Sequence, residues 1–275
     1  MLGTFLFAFL AVLQGCGEAA PPPVPVAPPP PVLAEPAPTA APADSAAWKV
    51  LAPSPLALER SVKEAGISRT LADLVPTELP AMPPADQPDR VAFRTGVVFA
   101  YTLLGGRTSP KPQFLAQLRT LREGMEAIGT GPGLLARMDK ALEHVENDTA
   151  SREDFLIQLD EMITSAVPEQ GWGPNDTTGP LLQAGAWLAG VSVVAQAVVR
   201  SDDAAAADTL LRHPEVADFF LGYMKGGEGS RKAGQAGGPL VETLNTLREV
   251  ANQPTIGMDE AKATAESTQK LLMMF

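Results

Sequence analysis

Beyond residue 90, apolar residues recur every three or four positions through most of the chain, the spacing of one helix face and not of a strand. Phe114, Leu118, Leu121, Met125 and Ile128 form the clearest stripe, with Gln117, Arg119, Arg122, Glu123 and Glu126 on the other face. Leu135, Met138, Leu142 and Val145 repeat the pattern, as do Phe155, Leu159, Met162 and Ala166. Ser151, three residues before Asp154, marks the start of that third helix as a capping box. Val216, Phe219 or Phe220 and Tyr223 predict a further helix, opened by Pro214. Leu240, Leu244, Leu247 and Ala251 predict another, and a more polar last helix ends in "LLMMF".

Two segments depart from the amphipathic pattern. Residues 92–106, "AFRTGVVFAYTLLGG", and 181–199, "LLQAGAWLAGVSVVAQAVV", are apolar nearly all round. Both carry glycine, Gly96 in the first and Gly185 and Gly190 in the second. Helices apolar on every side belong at the centre of a bundle, and glycine there lets a neighbouring helix approach closely. Residues 181–199 also meet the length criterion for a membrane span. Gln183 and Gln196 and the lack of a flanking basic cluster favour a buried core helix instead.

Each of these segments is followed by three amphipathic stretches, and "LEHVENDTASREDF" can be set beside "LREVANQPTIGMDE". The expectation is an all-α helical bundle over 91–275, with a possible internal repeat of two related four-helix units, 91–167 and 180–275. Residues 48–90 form an arm ahead of it. "SPLALERSVKEAG" carries Ser54 and Pro55 as start signals and Gly66 as a stop, and "SRTLADLVP" is a second short helix candidate. "PTELPAMPPADQP" is a proline-rich break between arm and bundle.

Composition fits helices, with 45% apolar but only 5% aromatic residues. A net charge of −11 argues against nucleic acid and against a basic patch for anionic lipid head groups. The chain has one cysteine and hence no disulfide framework, so a packed core must supply its stability.

That cysteine sits in a distinctive place. Residues 2–13 are almost wholly apolar, the length of a secretory h-region and short for a span. They lead into Leu13, Gln14, Gly15 and Cys16, although no Lys or Arg precedes the run. This resembles the lipobox of bacterial lipoproteins. The resemblance is confined to these first sixteen residues. It implies a signal peptide over 1–15 and a mature chain beginning at a lipidated Cys16, whose acyl chains (palmitate among them) hold it to a membrane. Gly17, where Asp would favour inner-membrane retention, implies the outer membrane, facing the periplasm or the cell surface. Residues 16–47 continue as a Pro/Ala-rich tether. In polyproline II form, about thirty such residues reach roughly 90 Å.

No motif carries catalysis. His144 and His213 are the only histidines, and the acidic neighbours of His144 are too close in sequence to share its helix face. Ser267–Lys270 fits S-x-x-K, but the S-D-N and K-T-G partners of serine acyl-enzymes are absent. "GGEGSRKAGQAGG" lacks the P-loop pattern, and "NDTASRED" lacks the central glycine of a calcium loop. The sequence therefore predicts no enzyme, no cofactor and no metal site. It predicts a lipid-anchored scaffold or adaptor for envelope proteins, with Trp172, in the loop "PEQGWGPNDTTGP", as a possible partner contact. The alternative is a carrier of an apolar small molecule or lipid, its cavity lined by Met125, Met138, Met162 and Met224.

Overall fold

A Cβ placed on Gly96 would meet the carbonyl oxygen of Leu182 at 1.9 Å, and one placed on Gly185 would meet that of Phe93 at 2.1 Å. The two apolar helices that carry these glycines, α2 (Pro88–Gly105) and α6 (Thr178–Ser201), thus cross with their backbones in direct contact. They form the most extensive helix pair of the bundle. Any side chain at either position would push the helices apart, which is why both runs contain glycine despite its poor helix propensity.

The computed structural model describes residues 52–67, 71–79, 81–169, 178–225 and 237–275. The protein is an all-α helical bundle: ten α-helices and one 3-10 turn make up the regular structure of these residues, with no strand among them. Around the crossing pair lie α1 (Pro55–Glu64), α3 (Lys111–Ala127), α4 (Pro132–Glu146), α5 (Arg152–Glu169), α7 (Ala204–Leu210), α8 (Pro214–Lys225), α9 (Gly237–Ala251) and α10 (Met258–Met274). In the first half each helix packs on its chain neighbour, α2 on α3, α3 on α4 and α4 on α5. In the second half α6 packs chiefly on the last helix, α10, while α8 lies on α9 and α9 on α10. The glycines at the crossing match each other across the proposed repeat, but the surroundings of the two core helices differ.

The helix ends follow local signals. Ser54, in extended conformation, accepts the Ala57 N–H at 3.2 Å to open α1, and Gly66 closes it at φ +80°. At α5, Ser151 accepts the Asp154 N–H and donates its own hydroxyl proton to the Asp154 carboxylate. The stretch 68–76 departs from expectation: among its described residues it forms only the 3-10 turn Ala72–Leu74. Val75 precedes Pro76 and is extended (φ −76°, ψ 127°), the conformation that proline favours in the residue before it, and the turn ends there. A short helix that the periodicity does not announce, α7, starts where Asp203 caps the Ala206 N–H at 3.0 Å.

The core is filled by large side chains, among them Phe93, Phe114, Leu121, Met125, Leu156, Ile163, Leu188 and Phe220. Phe114 meets Phe155 edge-on at 5.7 Å, and Phe93 packs against Phe275 at 4.3 Å. Two faces differ in part from expectation. On α5 Phe155 and Leu159 are buried as expected and Met162 is half-buried, but the buried face extends to Leu156 and Ile163. On α3 Gln117, expected on the polar face, is buried, because it lies on the stripe of Gln113 and Gly124, which face Thr77 and the Thr95–Met82 contact. Helix α6 is the one described helix long and apolar enough to cross a membrane, and 83% of its most apolar window is buried inside the bundle.

Candidate functional site

The arm helix α1 packs an apolar face on α6 and α2 and is tied to α5 by polar contacts. Leu58 and Val62 are buried in its apolar face, Leu56 and Ala65 pack partly buried beside them, and Leu58 fits over Gly190, where a Cβ would come within 2.4 Å of its Cδ1. Arg107, just past the end of α2, then ties the arm to α5. Its guanidinium grips Glu153 through two hydrogen bonds of 2.5 Å and also donates to Glu59 of α1. The bond from Arg107 holds the Glu153 carboxyl below the usual carboxylate range, and the same bond raises the guanidinium pKa. At the start of α1, the Ser54 hydroxyl donates to Asp160 of α5 at 2.9 Å. The other oxygen of Asp160 is buried without a partner, and burial pushes this carboxyl up to about 6 against the single bond from Ser54.

Docked in this way, α1 forms one wall of a groove of about 440 Å³ that is open to solvent. The opposite wall is α7 with the turn that follows it, and Val194 of α6 contributes to the lining. Leu58, Val194 and Leu210 form its nearly covered floor and Ala65 and Ala205 its apolar rim, while Ser61, Glu64, Asp203, Thr209 and His213 add polar and acidic groups. Asp203 uses one carboxylate oxygen to cap α7, and no ion pair involves Glu64 among the described residues. His213 stands at the N-cap of α8, with Nδ1 3.4 Å from Glu215. Such a surface can seat an extended segment with apolar side chains and a basic group. It offers no arranged nucleophile and base.

A second groove, about 330 Å³, runs between α9 and α10. It brings together Ser267 and Lys270 of the S-x-x-K tetrapeptide with Glu242, Glu266, Thr243 and Thr246. These lie along one exposed pair of helices, and the groove ends near Met274. Met273 beside it is 80% exposed.

The four methionines do not meet in either groove. Met125, Met138 and Met224 are buried in the common core, and Met162 packs half-buried against it. Cys16 and Trp172 lie outside the described residues. His144 stands in the last turn of α4, with Nδ1 2.7 Å from the Thr149 hydroxyl. Among the described residues no three His, Cys, Asp or Glu side chains are placed to share a metal ion.

The groove residues were not legible as a site, because positions 58, 194 and 210 meet only through helix packing. Asp203 ahead of four alanines was a readable N-cap signal for α7. Arg94, the one charge inside the apolar run 92–106, was equally readable and is buried. Compared with known proteins, the chain matches no family model, no curated protein and no solved structure.

Proposed function

We propose that the protein is a lipid-anchored component of the bacterial envelope whose helical bundle docks partner proteins. The groove between α1 and α7 carries this reading: an open cleft of mixed apolar and polar lining that includes the acidic residues Glu64 and Asp203, on a bundle whose centre is filled by side chains. Its chemistry suits a partner segment with apolar anchors and a basic residue, and the net charge of −11 favours a basic partner over longer range. The lipobox-like Leu13–Cys16 stretch supports the anchor, with Cys16 as the acylated residue, and the Pro/Ala-rich residues after it would give the bundle reach. Trp172 is a second contact candidate.

Site-specific photo-crosslinking in intact cells tests the docking role. A crosslinker at Thr209 should capture a discrete envelope protein, and Glu64→Lys should abolish that capture. Capture that is equal from Glu123, on the far side of α3, would sink the groove as the docking surface. The anchor has its own test. Cys16→Ser should lose both palmitate-analogue labelling and membrane retention, and labelling that persists in the variant would refute acylation at Cys16.

A further inference from the structure

Arg94 lies in the second turn of the core helix α2 and is only 4% exposed. Its Nε and Nη1 atoms are buried with no hydrogen-bond partner. Arg107 is matched to Glu59 and Glu153, Arg122 to Asp139 and Glu126, and Arg212 to Asp208, while Arg152 donates to the carbonyls of Gly106 and Ser109. No carboxylate pairs with Arg94 among the described residues. The chain carries 32 acidic against 21 basic side chains, so composition does not force this vacancy.

The charges that act on Arg94 sharpen the point. Burial opposes its charge most, the neighbourhood of Tyr101 favours it, and Arg90, one turn earlier, repels it. A guanidinium does not shed its proton in a protein, so the charge stays. A buried and unpaired charge is among the most destabilising arrangements a core can hold. Two turns further along the same face stands Tyr101, also buried. Burial lifts its hydroxyl to about 12, so it remains a neutral donor. The apolar residues Val91, Val97 and Val98 of the same helix supply no acceptor side chain. An arginine fork and a phenol hydroxyl thus share one helix face, and the complement of that pair is an oxyanion.

We propose that Arg94 and Tyr101 form an anion-binding site that takes one carboxylate or phosphate group. The group arrives either as a free ion or as the head of an amphiphilic molecule, and both share the same chemistry at Arg94. This site is separate from the α1–α7 groove, so it stands or falls independently of partner docking.

The test uses the full chain in neutral detergent, titrated with sodium acetate and with sodium phosphate, ionic strength being held constant with sodium chloride. The melting temperature should rise with at least one of the two, by about 3 °C or more near saturation. Arg94→Met should abolish the response and, without anion, melt no lower than the parent protein. Arg94→Lys keeps the charge without the fork, and Tyr101→Phe removes the second donor. Each should weaken the response about tenfold, and these two carry the test if Arg94→Met does not fold. Native mass spectrometry of the same samples separates the sources. An adduct of a few hundred daltons that Arg94→Lys weakens identifies an amphiphile, whereas its absence beside a thermal response assigns the free ion. No response beyond that to chloride, or responses unchanged in the Arg94 and Tyr101 variants, would overturn the site.

Discussion

The α2–α6 crossing and the docked arm α1 are both held against the same core, by opposite means. At the crossing, backbone lies on backbone at Gly96 and Gly185, and no titratable group takes part in that contact. At the arm, the apolar face of α1, with Leu56, Leu58 and Val62, is supplemented by Arg107 bridging Glu59 and Glu153 and by Ser54 bonded to Asp160. A contact made by close packing responds to volume. A contact made by charge responds to pH and salt. The wall of the candidate groove belongs to the second kind, so conditions that leave the bundle intact can still alter the groove.

The largest effect should come from volume at the crossing. Gly96→Val or Gly185→Val places atoms inside a backbone contact that cannot yield locally. Each should cost about 3 kcal/mol or more, or prevent folding. Denaturant midpoints give the comparison, and a loss below about 1 kcal/mol would show that the helices do not touch there. Next, Arg107→Ala leaves the mostly buried Glu59 with only Lys63, at 3.3 Å. It should lower stability by about 2 kcal/mol and expose α1 to limited proteolysis while sparing α2 and α6.

A pH effect follows in size. Asp160 is raised to about 6, so the folded chain holds a proton that the unfolded chain releases between pH 4 and 6. Its stabilising contribution is complete below the unfolded value, near 4, and is lost as pH rises through about 6. The parent protein should therefore gain about 1–2 kcal/mol on moving from pH 7 to pH 5, relative to Asp160→Asn. Over that range the Glu153 clamp persists, because its carboxyl is held low. Matching pH profiles for parent and variant would remove Asp160 from the account. The smallest effect is a gain. Gly222 in α8 has open space around its Cβ position, and Gly222→Ala should stabilise by about 0.5–1 kcal/mol. The opposite signs at Gly222 and Gly96 would separate a helical glycine that is needed from one that is not.

The centre of the fold was legible because burial on all sides leaves an apolar run with no polar face. Gly96 and Gly185 stood out inside helices where glycine needs a reason. The full width of the buried face of α5 was not legible, since Leu156 and Ile163 are covered together with Phe155 and Leu159, and only the neighbouring helices decide how far the covered arc extends. Gln117 misled for a related reason: a polar residue on the edge of a stripe is covered when a connector crosses it. The end of the 3-10 turn at Val75 was readable from Pro76, which favours an extended residue before it. The groove was not legible at all, because no local pattern says that α1 will lie beside α7.

Hydrogen exchange on the full chain at two salt concentrations tests the contrast between crossing and arm most directly. Amides of α2 and α6 near Gly96 and Gly185 should exchange only through global unfolding, at a rate independent of salt below the denaturing range. Amides of α1 should open at lower free energy, and faster as salt screens the Arg107 clamp. Exchange from α1 that matches α2 and ignores salt would contradict the account, and would place the arm in the same cooperative unit as the core.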